Sequence, residues 1–349
     1  KEVITTSSSK PPSIILYTDL QMTLLKSAIA AGTVIGIDRT FNLSSCYLTP
    51  ICFPNVNLVT KQTGTSPVML GPMLMHWDGS FDSYHKFTSH LQAKLADIDQ
   101  TNLIFGSDEE YAAVKAMKLS FPNATRVLCA KHLKDNAVDN LGKTLAQPDV
   151  SKIINKLFGE SGILSSEDQV TFDEIRQELV TAHPDMPYLH DRLLPNLDQF
   201  VFRPRLKHPH LPRVWFNNCN ESYNNVIKRA TDWVVQKVPD LITKLFELEQ
   251  DQTRDVRGAL SCSGKYTLSP QATVLQVSYE TWTQLTPDQR SRRLLKLANF
   301  KPKTSSSLTS TGGHLTIPGV SRVAQKPGQR KRTKNCKTVS GPSKKLKVT

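Results

Sequence analysis

The stretch Thr33-Val34-Ile35-Gly36-Ile37-Asp38-Arg39-Thr40-Phe41 sets an acid at the end of an apolar run. Val34, Ile35 and Ile37 leave no polar face, so the strand they predict is covered on both sides. A carboxylate beside such a strand is costly unless it is paired, capped or used. Asp38 is therefore either a turn carboxylate bonded to nearby backbone N–H groups or part of a site at the strand's end.

Working outward, SCYLTPICF (45–53) predicts a second strand, joined to the first through the turn-like Asn42-Leu43-Ser44-Ser45. Neither of its faces is clearly polar, which again predicts burial on both sides. A polar loop (55–66) leads to a third strand, VMLGPMLMHW (68–77). Phe81, Tyr84, Phe87, Leu91 and Leu95 then recur at helical spacing. TNLIFG reads as a fourth strand, Ser107 to Ser120 as a helix, and RVLCA as a fifth strand. Three strands, helix, strand, helix, strand implies a meander followed by parallel crossovers, hence a mixed sheet with helices on its faces. Beyond residue 131 the patterns are helical for a long way. A Pro/His-rich stretch (183–212) precedes the segment NNCNESYNN, and two further helices close the folded part.

Two more acids stand out. Asp108 follows LIFGS, and Ser107-Asp108-Glu109-Glu110 matches a capping box, with Ser107 as N-cap and Glu110 three residues on. Helix-start chemistry explains Asp108 as well as a site does. The carboxyl end of a strand opening into a helix is also where open α/β sheets place ligands. Glu221 lies on a predicted helix whose apolar stripe is Phe216, Cys219, Tyr223, Val226, Ile227 and Ala230. It points away from that stripe among Asn217, Asn224, Asn225 and Lys228. This is either a solvated face or an amide-rich one suited to a carboxylate or a phosphate backbone, Asn being a poor helix former.

The chain has 349 residues and a net charge of +13, unevenly spread. From Lys301 onward stand 12 of the 44 Lys/Arg and no Asp/Glu, leaving 32 basic against 31 acidic residues before it. A tail of this kind implies a polyanion partner or a nuclear import signal, and QRKRTK and SKKLKV resemble import clusters. Residues 301–349 are expected to be disordered. Six scattered cysteines without a C-x-x-C pair suit a reducing compartment. No apolar run is long enough to span a membrane, no signal peptide opens the chain, and the start at Lys1 suggests a piece of a longer protein.

Taken together, IGIDRTFNL (35–43), GSDEEYAAVKAMKLSFPNATRVLCAKHLKDN (106–136) and NNCNESYNNVIKR (217–229) resemble the Mutator-like (MULE) transposase domain. MLMHWDGSFDSYHKFTSHL (73–91) is similar to that family's third strand and following helix. The resemblance covers roughly residues 30–232. It implies a ribonuclease H-like α/β fold: a mixed sheet flanked by helices, with a long all-helical insertion before the last catalytic helix. Its expected divisions are a lead-in (1–29), the core (30–143), the insertion (144–212), the Glu helix with C-terminal helices (213–300) and the basic tail (301–349).

The resemblance further implies that Asp38, Asp108 and Glu221 form a D-D-E triad holding Mg²⁺ or Mn²⁺, for DNA strand cleavage and strand transfer in the nucleus. Oxygen donors suit those ions. The implied partners are DNA, as transposon ends and target, and further copies of the chain. Asn224, Lys228 and Arg229 are candidate DNA contacts, Lys228 and Arg229 having ordinary helix surface as their alternative. Cys129-x-x-His132 recurs beside the family's active site and reads as site architecture. Its alternatives are a buried Cys with an incidental His, or half a zinc site completed by His208, His210 or Cys219. His76 and His85 read as packing or surface residues. The C-x-C…C-x-H zinc motif that often follows the family's core is not found, Cys262 and Cys336 standing alone. An alternative function is therefore a domesticated, catalytically silent nuclear DNA-binding protein. A third is a scaffold in which all three acids are structural.

The import clusters carry their own test. Removing residues 326–349 should abolish nuclear accumulation of a fluorescent fusion in cells; unchanged accumulation would remove the tail's role as an address.

Overall fold

A computed structural model describes residues 12–301 and, in a separate C-terminal unit, two short paired strands, Thr309–Thr311 and His314–Thr316. The rest of the basic tail, with the expectation of disorder placed on it, lies outside the described residues. So do residues 1–11.

The chain enters through β1 (Ser13–Leu16) and α1 (Asp19–Ala30), capped by a Thr18–Gln21 box. Next come β2 (Val34–Ile37), β3 (Tyr47–Pro54), β4 (Leu58–Thr60) and β5 (Val68–His76). Then α2 (Phe81–Lys94), β6 (Ile104–Ser107), α3 (Tyr111–Ser120) and β7 (Thr125–Leu128) follow. The six-stranded sheet runs β1-β5-β3-β2-β6-β7. β1, β5, β3 and β2 pair antiparallel, while β2, β6 and β7 are parallel. The meander and the parallel crossovers stand as the apolar patterning predicts. The segment read as a lead-in is part of this sheet: β1 forms its edge, and α1 packs on the core through Met22, Leu25 and Ile29. The polar loop also contributes, since β4 pairs with β8 (Tyr266–Leu268). Pairs of three or four residues are too short to show as periodicity.

Side chains on β2 and β6 part by parity. Ile35, Ile37 and Phe105 face the core built with α1, α2 and α3. Val34 and Ile104 face the other way, towards Leu211 and Trp215. The register pairs Gly36 with Gly106 on that second face. The returning chain crosses the sheet at this point. A Cβ on Gly36 would overlap Asn220 Oδ1, and one on Gly106 would overlap the Trp215 ring. Beside them β3 carries an irregularity between Pro50 and Cys52, where a proline can sit inside a sheet. The Asn220 amide donates to the Pro50 carbonyl at 3.3 Å.

Between the sheet and its return lies an all-helical stretch. α4 (Ala130–Leu141), α5 (Gln147–Phe158) and α6 (Gln169–Ala182) precede a run in which wide π-helical turns (Tyr188–Leu193 and Asp198–Phe202) alternate with α7 (Leu194–Leu197) and α8 (Arg203–Lys207). This stretch has a hydrophobic core of its own, from Leu128 to Phe202. α9 (Asn218–Ala230) and α10 (Val238–Ala259) then cover the second face of the antiparallel strands through Tyr223, Ile227, Leu241 and Leu245. α11 (Tyr279–Gln284) and α12 (Pro287–Ala298) complete the unit. Among the described residues no helix is long and apolar enough to cross a membrane.

Two expectations fail. Ser107 is not a helix cap: it ends β6, its hydroxyl is buried without a partner, and α3 starts only at Tyr111. Each acid that would have opened the helix has a partner elsewhere. Asp108 contacts His132, Glu109 accepts from Arg192 and Asn196, and Glu110 accepts from Arg39 and Tyr84. The apolar stripe of α9 is also misplaced. Phe216 and Val226 are exposed, whereas Asn217 and Asn220 are fully buried with Tyr223 and Ile227. The glycine gap in the sheet admits an amide where periodicity expects an apolar side chain.

Gly36→Ala should therefore destabilise the fold by about 1–3 kcal/mol, the usual range for overpacking, in urea unfolding. Adding Asn220→Ala should recover part of that loss. Wild-type stability for Gly36→Ala alone would mean that α9 is not seated on this glycine.

Candidate functional site

The pairing of Gly36 with Gly106 decides where two of the three acids go. Asp38 and Asp108 each stand two residues beyond that pair, at the carboxyl ends of adjacent parallel strands. Both line one cleft with Arg39, Tyr84 and Glu110. Burial pushes the Asp38 carboxyl up to about 6, with the neighbouring Asp108 charge adding to the shift. The Arg39 backbone N–H and the His132 charge offset only part of this rise, and the Arg39 side chain is engaged elsewhere. Its guanidinium pairs with Glu110 at 3.1 Å and lies over the Phe41 and Tyr47 rings.

Glu221 arrives from the other side, in the first turn of α9. Two contacts fix the entry to that helix. The Ala130 N–H donates to the Trp215 carbonyl at 3.0 Å, and the Asn217 N–H donates to Cys129 Sγ at 3.4 Å. Cys129 thus ties the start of α4 to the start of α9. Three residues on, His132 stands between the acids: Nδ1 is 2.5 Å from Asp108 Oδ1, and Nε2 is 3.9 Å from Glu221 Oε1. Lys131 Nζ adds 3.2 Å and 3.4 Å contacts to the two Glu221 oxygens. The Asp108 and Cys129 contacts raise the His132 imidazole to about 10, against the opposing effect of partial burial. Burial raises the Cys129 thiol, but the bonds from His132 and from the Asn217 N–H leave it below its ordinary value.

The three acids therefore border one site without converging on one point. Asp38 and Asp108 are side by side, and Glu221 reaches Asp108 through His132. The donor atoms that do cluster are those of Asp108, Cys129 and His132, all within 4.8 Å of one another; this group could hold a metal ion. The C-x-x-H pair was legible in the sequence, but its nearby third donor was not. His208 bonds the Thr125 hydroxyl, His210 bonds the Gly32 carbonyl, and Cys219 is not part of the group. The acid comes instead from the end of β6, through a strand-to-helix crossing that residue spacing does not reveal.

The candidate DNA contacts on α9 diverge. Asn224 is engaged inside the protein, its side-chain carbonyl accepting from the Thr40 hydroxyl. Lys228 lies over the Trp233 ring at 5.8 Å, and Arg229 is exposed. His76 is buried between the Thr49 hydroxyl and the Asp78 carbonyl, and His85 stacks on Phe81. Both fit the packing role read from the sequence. No protein-family model matches the chain, and no curated protein matches its sequence.

The Asp38 shift has a measurable consequence. A carboxyl whose folded value is raised contributes stability below its unfolded value, near 4, and loses it as pH rises through about 6. Asp38→Asn should therefore stabilise the protein at pH 7.5, by up to about 3 kcal/mol, and make little difference at pH 4. Urea titrations at the two pH values measure this; an equal effect at both would contradict the desolvated carboxylate.

Proposed function

We propose that this chain is the catalytic core of a Mutator-like DNA transposase, with a ribonuclease H-like fold and an Asp38-Asp108-Glu221 triad for phosphoryl transfer. The observation that carries this proposal is the placement of Asp38 and Asp108 side by side at the ends of β2 and β6. Three further features support it. The strand succession β5-β3-β2-β6-β7, with two antiparallel and two parallel pairings, suits a ribonuclease H-like sheet. The helical stretch delivers α9 to the same sheet ends. Cys129 and His132 join Asp108 to the entry of α9, as site architecture should.

The donor chemistry fits a divalent cation. Asp38 and Asp108, which line one cleft, would offer oxygens to Mg²⁺ or Mn²⁺, and Glu221, here engaged by Lys131, would have to join them to complete the triad. When bound, such ions polarise the phosphate and activate water or a 3′-hydroxyl. Asp38 and Asp108 hold the negative charge that attracts the cation. His132 holds a proton at Nδ1 against Asp108, and Lys131 neutralises Glu221. The sulfur, nitrogen and oxygen of Cys129, His132 and Asp108 suit a zinc-like ion better than Mg²⁺. DNA is the substrate, the nucleus the site of action, and a second copy of the chain a natural partner for two DNA ends.

Those same contacts favour a second reading, a domesticated and catalytically silent derivative. His132 and Lys131 already compensate Asp108 and Glu221 without any metal.

Nicking of supercoiled plasmid in Mn²⁺ separates the two. An active core nicks, and Asp38→Asn and Asp108→Asn each lower the rate by at least about a hundredfold, the scale of losing one transition-state stabiliser. Equal nicking by wild type and variants removes the triad. No nicking by wild type, while Mn²⁺ still raises its melting temperature but not that of Asp38→Asn, establishes the silent derivative.

A further inference from the structure

An open groove lies between α3, the segment leading into β7, and α8. Five cations line it: Lys115, Lys118, Arg126, Arg203 and Lys207. No Asp or Glu is among its lining residues. In a folded part with nearly equal numbers of acids and bases, such a one-sided concentration marks a place for an anion. Among the described residues Arg203 alone of the five forms an ion pair, with Asp198.

Arg126 is the most informative of these cations. Its guanidinium lies over the Phe200 ring at 4.6 Å, and its Nη2 donates to the Asp108 carbonyl at 3.1 Å. Its Nε is buried without a partner; the Glu109 charge acts on it, but among the described residues no carboxylate lies within ion-pair distance. A cation fixed by a ring and a carbonyl, and lining the groove, holds its charge in a set position for an anion from outside. It also joins the groove to the backbone of a triad acid.

The groove carries aromatic surface as well. Tyr111 opens α3 with 76 % of its surface exposed, and Phe200 is only partly buried. Lys118 is exposed and, among the described residues, makes no ion pair, and Lys207 is held at the rim by the Thr125 hydroxyl at 2.9 Å. Cations for phosphates and ring faces for bases are the two elements of a single-strand binding path. Duplex DNA hides its ring faces, whereas an acidic protein would use the cations and leave Tyr111 idle.

We propose that this groove binds an unpaired nucleic-acid strand, with phosphates on Lys118, Arg126 and Lys207 and a base stacked on Tyr111, and leads it to Asp108. This rests on DNA being the substrate, and it moves the contact surface from the predicted Lys228 and Arg229 on α9 to cations of α3, β7 and α8.

The test uses the full chain in EDTA, so that binding is read without catalysis. A fluorescein-labelled 12-nucleotide single strand is titrated by anisotropy at several salt concentrations. Lys118→Glu combined with Lys207→Glu should weaken binding at least tenfold and flatten the salt dependence by about one unit of slope per lost contact. Because the tail can bind DNA by charge alone, a second measurement locates the strand. Iodouracil photocrosslinking followed by peptide mapping should place adducts on Tyr111 or Phe200. Unchanged affinity in the double variant, or adducts confined to residues 301–349 or to α9, would overturn the proposal. So would displacement of the groove adducts by polyglutamate as effectively as by unlabelled DNA. Groove adducts with no nicking by wild type would count against the transposase and leave the groove standing. Nicking by wild type with no groove adducts would do the reverse.

Discussion

The close approach of α9 to the sheet at Gly36 and Gly106 is the constraint on which the rest depends. Two glycines paired across adjacent parallel strands leave a trough without side chains, and the returning chain lies in it. Trp215 fills one half and Asn220 the other. Asn220 is fully buried, and its amide reaches the Pro50 carbonyl beside the irregularity in β3. With α9 seated there, Glu221 falls on the side of the sheet ends. The same pairing sets Asp38 and Asp108 two residues further on, so one local geometry positions all three acids.

The second constraint is electrostatic. Three consecutive acids, Asp108 to Glu110, follow β6, and each is drawn to a different element: α4, the helical stretch, and the Arg39–Tyr84 pair. Those partners extend the backbone and delay the helix. The macrodipole gain at a helix start is about 1 kcal/mol or less, whereas leaving a partly buried carboxylate unpaired costs more. For Asp38, burial and the neighbouring Asp108 charge outweigh the Arg39 backbone N–H and the His132 charge, so its carboxyl is raised. The cleft thus holds a desolvated Asp38 beside Asp108, while the groove gathers five cations with no acid in its lining. Arg126 lies at their junction.

Much of the fold was legible because burial on both faces leaves a plain mark. β2, β3 and β5 read as apolar runs, the helices between β5 and β7 as 3.6-residue periods, and the order of elements as a mixed sheet. The site was legible less evenly. Asp38 announced itself as an acid ending an apolar strand. Asp108 was ambiguous between cap and site, since a capping box and a site acid share the same letters. Glu221 was placed on the right helix, but with the wrong account of its faces. The wheel counted Phe216 and Val226 as buried and could not know that the sheet offers an amide-sized gap. The groove left no mark at all, because its cations come from α3, β7 and α8, far apart in the chain.

By itself the sequence determined the alternation of strands and helices, the acid at the end of β2, and the charge imbalance between the first 300 residues and the tail. These are properties of neighbours along the chain, where propensity and periodicity act. Only the tertiary structure decided that β1 and α1 join the sheet, that Ser107 ends a strand instead of capping a helix, and that His132 rather than Glu221 touches Asp108. It alone decided that Asn224 faces Thr40. In each case a partner remote in sequence outweighs a local preference, because local preferences amount to about 1 kcal/mol or less while burial and charge compensation are worth several.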